Sequence, residues 1–381
     1  MPASPALSSR IGSVVAATAL RDKCRHVIAH MLTTAPVEAY LYRGNAYMAL
    51  GQPYFAVADY KIAASLASIG DSYMKDAEQA VDKLPQTVTG VYPAVSSYLH
   101  FLVEPLLGRG VCIQEISPSV GRGVFATSQL SPGDTALEPE DPWVRYPLKD
   151  ASCAHCTGPL PETRCIPCQN KECHEEYCSR ECRRSALNHY HSNVCEKPSY
   201  QAIELDLFHT YTSTTDPSEK NAIANYMLAT RICAVTAREK VLPCASNELK
   251  TLTGKISFSP AVLSTSVLSV FERTAQSLGF LSSFCFEDYV SVLAKISGNV
   301  FQTEREIGLY IGRSMFNHAC DENVVEDAKT KRLVCKRGVA SGEELTINYY
   351  PRLRQLPFEE RHKQLMLRGL HCECKRCTQK L

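Results

Sequence analysis

Eight of the eighteen cysteines in this 381-residue chain fall between positions 153 and 195, a density that apolar core packing does not explain. Residues 1–22 lack the cationic stretch and apolar run of a secretory signal, which reads as a protein kept in the cytosol or nucleus. Thiols clustered in a reducing compartment are metal ligands rather than disulfides. Spacing then sorts them. Cys153 and Cys156 form a Cys-x2-Cys knuckle, while Cys178 and Cys182, at the start of a helix, stand on adjoining turns. Those four complete one tetrahedral zinc site. His191 and Cys195 repeat the wider gap and need two more ligands from Cys165, Cys168 and Cys173. Cys168 with Cys173 is preferred, leaving a short step to Cys178; Cys165 with Cys168 is the commoner knuckle and stays open as the alternative. His189 lies off this register and is expected on the surface. So short a segment builds no core of its own, so loss of either zinc is expected to unfold it.

The rest of the chain is that of a globular protein, with 45% hydrophobic residues and no apolar run of membrane-spanning length. Lys and Arg number 41 against 40 for Asp and Glu, so no global field draws it to nucleic acid or an anionic membrane. Residues 39–67 alternate small and large apolar side chains at helical spacing, broken at Gly51-Gln52-Pro53. That predicts a helical hairpin, with helices at 71–84 and 94–107 to brace it. Gly44, Tyr47, Ala56, Tyr60 and Ala63 resemble one tetratricopeptide unit, whose concave face would hold a peptide partner. From about Cys112 the pattern turns to short strands around the Ser131-Pro132-Gly133-Asp134 turn. It is helical over 200–297 and returns to short strands over 300–349. The fold class expected is α+β.

The order of ligand pairs and the wording YCSREC…YHSNVC resemble a MYND finger. Four separated pieces, Gly121-Arg122-Gly123, Asn299-Val300-Phe301, Asn317-His318-Ala319-Cys320 and Glu343-Glu344 through Asn348-Tyr349, resemble a SET domain, with a Cys-x-Cys-x2-Cys tail after it. Together they resemble the SET-and-MYND methyltransferase family over roughly residues 112–377. The resemblance implies a helical region at 1–108, a first SET part at 109–150, the finger at 151–196, a helical insertion at 197–297, the SET core at 298–350 and a zinc-binding tail at 351–381. It implies methyl transfer from S-adenosylmethionine to a lysine of a protein, a histone tail being the default, in the nucleus or cytoplasm. Gly121, Arg122, Gly123, Asn299, Asn317, His318 and Tyr349 would hold the methyl donor. Tyr349 would orient the amine, its ring lining the lysine channel with Phe301. Cys320, Cys372, Cys374 and Cys377 would bind a third zinc and clamp the tail over the site. The remaining cysteines, at 24, 112, 233, 244, 285 and 335, read as isolated buried residues, and the chain as a monomer. Departures from the family pattern at Glu322, Asn348, Arg368 and Leu370 bear on the lysine channel more than on the donor. The competing reading is a zinc-dependent adaptor whose SET-like domain has lost turnover.

Overall fold

The structure, a computed structural model, describes residues 14–30, 37–67, 71–83, 88–95, 99–117, 121–162, 165–258, 266–281, 283–366 and 370–381. Among these no helix is long and apolar enough to cross a membrane. Helices α1 (Val14–His30), α2 (Val37–Ala49), α3 (Pro53–Leu66) and α4 (Asp71–Val81) form a stack in which each packs on the next. Small residues make the close approach: a Cβ on Gly44 would lie 2.6 Å from the Tyr60 ring. Between the same two helices, buried Arg43 donates twice to buried Asp59 at 2.6 and 2.8 Å.

The expected brace at 71–84 exists as α4. Of the one expected at 94–107, residues 96–98 lie outside the described residues; among the described ones a short helix, Leu99–Leu102, stops before the turn Glu104–Leu106, because Pro105 lacks the N–H of a continuing helix. The stack leans on the helix Phe286–Asn299 of the insertion. Phe55 meets Phe286 edge-on at 6.2 Å, and the Tyr47 hydroxyl donates to Glu287 at 2.8 Å. Arg25 reaches Glu287 at 2.8 Å and Asp288 at 2.6 Å.

A thin strand connection follows: β1 (Val88–Tyr92) pairs antiparallel with β8 (Gly254–Phe258), a strand inside a region expected to be helical. The β-domain is assembled from distant pieces in three small sheets. In the first, β3 (Gly121–Ala126) pairs with β2 (Val111–Ser117) on one side and with β14 (Glu344–Ile347) on the other, and β14 runs parallel to β11 (Asn317–His318). The second orders β12 (Val324–Glu326), β13 (Leu333–Cys335) and β4 (Thr135–Leu137). The third orders β5 (Val144–Pro147), β10 (Glu306–Leu309) and β9 (Val300–Gln302). Alternation sets the faces: Val144 and Tyr146 point inward on β5, their neighbours outward. The expected turn before β4 is present, closed by the Ser131 N–H on the Asp134 carboxylate at 2.7 Å.

Two insertions separate β5 from β9. Among its described residues the finger contains the short ribbon β6 (Ile166–Pro167) with β7 (Glu176–Tyr177), the helix Arg180–His189, capped by Ser179, and a turn of 3-10 helix at His191–Asn193. The longest helix, Pro217–Glu239, starts on Asp216, whose carboxylate accepts the Glu219 N–H at 2.8 Å with Pro217 at the first helical position. Its central part is buried almost all round, packed among the helices Pro198–Ser213, Leu268–Leu278 and Phe286–Asn299.

Candidate active site and metal centres

The finger brings its thiols together in two groups, Cys153, Cys156, Cys178 and Cys182, and Cys168, Cys173, His191 and Cys195, the ligand atoms of each within 4.8 Å of one another. A tetrahedral zinc with bonds of about 2.3 Å needs sulfurs about 3.8 Å apart. Cys156 to Cys178 and Cys178 to Cys182 both measure 3.5 Å, and Cys168 to Cys195 3.4 Å. The donor sets fit zinc. Cys165 stands outside, its thiol 3.1 Å from Glu176, so the structure gathers Cys168 with Cys173. His191 turns Nε2 to Cys168 at 3.2 Å and Nδ1 to Glu175 at 2.9 Å, the arrangement by which a carboxylate fixes a ligand imidazole. His189 departs from expectation: it is half-buried beside Tyr190, and burial pushes its pKa down to about 4.

Behind Glu175 stands Arg231, only 3% exposed, from the middle of the Pro217–Glu239 helix. Its guanidinium pairs with Glu204 at 2.9 Å, lies 3.5 Å from Glu175, donates to the Ala154 carbonyl at 3.2 Å and stacks on the Tyr190 and Tyr146 rings. Sequence reading missed this hub, although an arginine inside the apolar run MLATRICAV is the signal of a buried pair.

The third group crosses the chain: Cys320, in the loop after β11, meets Cys372, Cys374 and Cys377 of the tail, with Cys320 3.9 Å from Cys372 and 3.6 Å from Cys377. Arg361, fully buried and also missed, ties this tail by donating to the Leu356 carbonyl at 2.8 Å and to that of Leu381. Leu370 packs on the group; Arg368 lies outside the described residues. Of the thiols read as isolated and buried, those at 24, 233, 285 and 335 are buried, whereas Cys112 and Cys244 are partly exposed.

Around the first sheet the predicted residues converge. Asn317 donates to the Arg122 carbonyl at 3.0 Å and to Glu344 at 2.8 Å. Gly123 makes room for that: a Cβ would lie 2.5 Å from Glu344 and 3.1 Å from the Asn317 amide. The open side is at Gly121, with φ +88 and nothing within 4 Å. His318 Nδ1 accepts the Tyr349 N–H at 3.1 Å, and burial pushes its pKa down to about 4, so the ring is neutral. Tyr349 meets Phe301 edge-on at 6.1 Å, Phe301 meets Tyr310 at 5.8 Å, and the Tyr349 hydroxyl donates to the Phe316 carbonyl at 2.6 Å. Burial raises the Tyr349 pKa, which keeps that hydroxyl protonated.

Asn299 is held differently from expectation: both amide hydrogens go to backbone, at Thr253 (2.8 Å) and Lys295 (2.7 Å), leaving only its oxygen for a ligand. Arg122 donates to the Thr251 carbonyl through one nitrogen, while its other, buried, has no partner. Burial lowers its pKa. Nearby Lys295, unforeseen, donates to the Leu249 carbonyl at 2.8 Å, its pKa pushed down to about 8 by burial. A buried guanidinium nitrogen without an acceptor fits the carboxylate of an amino-acid-like ligand.

A SET domain family model matches residues 121–350. Among characterised proteins, the chain is 26% identical to the human Histone-lysine N-methyltransferase SMYD3 over 280 residues, 68% of this chain and 59% of that one. It is 36% identical to the Mus musculus protein of the same name over 24% of this chain and 23% of that one. A SET and MYND domain-containing protein of Dictyostelium discoideum is 37% identical over 20% of this chain and 23% of its own. The chain thus spans less than two thirds of the length of each of these relatives. With the family model covering more than half of the sequence and a two-centre cysteine finger inserted in the domain, the chain belongs to the SET domain family, in its SET-and-MYND group.

Proposed function

We propose that this chain is a protein-lysine methyltransferase using S-adenosylmethionine, with the domain division and site residues read from the sequence. One observation carries the reading: the Tyr349 hydroxyl and the Phe316 carbonyl, 2.6 Å apart, present two oxygens beside an aromatic wall of Phe301 and Tyr310. A lysine amine needs that geometry, acceptors at its tip and apolar surface along its stem. When bound, S-adenosylmethionine supplies a sulfonium methyl whose C–S bond breaks, the electron pair passing to sulfur as the amine lone pair forms the new N–C bond. The chain's part is alignment. Apolar walls favour the neutral amine by disfavouring the ammonium, whose proton leaves to solvent before transfer. Tyr349 accepts an amine N–H while giving its own proton to Phe316. Arg122 meets the donor's carboxylate with its unpartnered nitrogen, and Asn317, neutral His318 and the Asn299 oxygen meet its remaining polar groups.

Two zinc ions hold the finger and a third ties the tail beside Cys320. The substrate is a nuclear or cytoplasmic protein, a histone tail being the default. Docking uses Tyr47 and Arg25, so a peptide partner of the helical stack is left the surface that exposes residues such as Tyr42 and Met74. Incubating the protein with labelled S-adenosylmethionine and a cell extract tests the reading. We expect a labelled protein band that falls about 100-fold or more in Tyr349→Phe, the usual cost of one positioned polar group at a reacting centre. If calorimetry finds no binding of S-adenosylmethionine, or Tyr349→Phe turns over normally, the adaptor reading takes its place.

A further inference from the structure

The strand that ends at Tyr349 is stitched to the loop after β11 by side chains from that loop. Asn323 accepts the Thr346 N–H at 2.8 Å and donates to the Glu344 carbonyl at 2.8 Å, and His318 accepts the Tyr349 N–H. Position 348 lies between these stitches and is held by Glu322: the Asn348 amide donates to Glu322 Oε2 at 3.4 Å, while its oxygen accepts the Tyr350 N–H at 2.9 Å. The Glu322 side chain is 1% exposed, and its other oxygen takes Lys336 at 3.1 Å and Arg354 of the segment after Tyr350. A carboxylate so deep holds its charge only against donors, and three converge on it.

We propose that Glu322 and Asn348 form one positioning device for Tyr349, in which each residue dictates the other; this rests on the methyltransferase reading. Position 348 must accept from the Tyr350 N–H and donate to Glu322 at once. An amide does both. An aspartate would keep the acceptor and set a second carboxylate against the buried first, so the turn carrying Tyr349 would shift. Moving the charge one place along, with glutamine at 322 and aspartate at 348, restores a donor facing an acceptor and leaves a carboxylate near Lys336 and Arg354.

The test uses the full-length chain with zinc, comparing wild type, Asn348→Asp, Glu322→Gln and the double variant for kcat, for KM and for S-adenosylmethionine affinity by calorimetry. Asn348→Asp is expected to lower kcat about tenfold or more with affinity for the methyl donor within about twofold, since the Asn348 side chain bonds Glu322 and the Tyr350 N–H and none of the donor-holding side chains. The double variant should recover most of that loss. Normal turnover in Asn348→Asp, or a double variant no better than it in folding or in kcat, overturns the proposal. Should Asn348→Asp fail to fold, a double variant that folds and turns over still reports the pairing. A wild type that binds no S-adenosylmethionine sinks the methyltransferase reading instead, a distinguishable outcome.

Discussion

The finger and the N-terminal helical stack both dock on the same helical insertion, and each uses an arginine, but the two attachments differ in burial. Arg231 joins the finger from below with its side chain 3% exposed, between two carboxylates and two tyrosine rings. Arg25 joins the stack to Glu287 and Asp288 with its side chain 34% exposed. Comparable distances therefore imply different energies. Solvent screens the second pair and replaces its hydrogen bonds, whereas Glu204 and Glu175 lie away from water, with tyrosine hydroxyls beside them and Arg231 as the cation that balances their charge. The finger lacks a core of its own and depends on metal and on the insertion; the stack carries its own core from Tyr40, Tyr47, Phe55 and Ile62.

Metal removal should separate the two regions most sharply. A strong chelator is expected to unfold the finger, because zinc binding in finger peptides is worth about 10 to 16 kcal/mol of folding free energy. Helices α1 to α4 should keep their structure. Hydrogen exchange resolved by segment would show amides of 153–195 losing protection while those of 37–66 do not. Equal loss in both would mean that the stack depends on the finger, and the contrast drawn from their cores would be wrong.

The next effect comes from Arg231→Met, which keeps most of the volume and removes the charge. Glu204, whose pKa burial already pushes up against the pull of Arg231, would be left buried without its cation. The loss should be about 3 to 5 kcal/mol, the size found when one partner of a buried pair is removed, read from the denaturant midpoint of the zinc-loaded protein. The variant should also release zinc sooner from the His191 site, since Glu175 loses a cation behind it.

These attachments mark where sequence reading stopped. Ligand spacing carried both finger sites, because Cys-x2-Cys and Cys-x3-Cys gaps encode local geometry that a tetrahedral metal can use. The choice of Cys168 with Cys173 matches the grouping in the structure. The pieces around Tyr349 were legible by resemblance, since short polar wordings survive when strands are rearranged. What holds them was not. The Phe316 carbonyl opposite Tyr349 and the Thr251 and Thr253 carbonyls that take Arg122 and Asn299 are backbone atoms, and any residue type presents the same carbonyl. Pairings such as Arg231 with Glu204 or Arg25 with Glu287 join residues 27 and 262 positions apart, a separation that no periodicity reports. Within the span 94–107 the described helix Leu99–Leu102 stops short of Pro105, a local signal that was present.

The smallest effect is expected from Arg25→Met, and it sharpens the comparison because its size can be tuned. A pair with one partner a third exposed contributes about 0 to 1 kcal/mol, so the midpoint should move by no more than about a third of the Arg231→Met shift. Tyr47 still donates to Glu287 and Phe55 still meets Phe286, so the stack stays docked. Screening separates the two arginines further: with a Debye length of about 10 Å at 0.1 M salt and about 3 Å at 1 M, the Arg25 contribution should fade across that range while that of Arg231 persists. Measuring both variants against wild type at the two salt concentrations therefore gives one difference that shrinks and one that does not. If the Arg25 difference is as large as that of Arg231 and equally indifferent to salt, burial is not what distinguishes the two attachments, and the stack is bound to the helical insertion as tightly as the finger is.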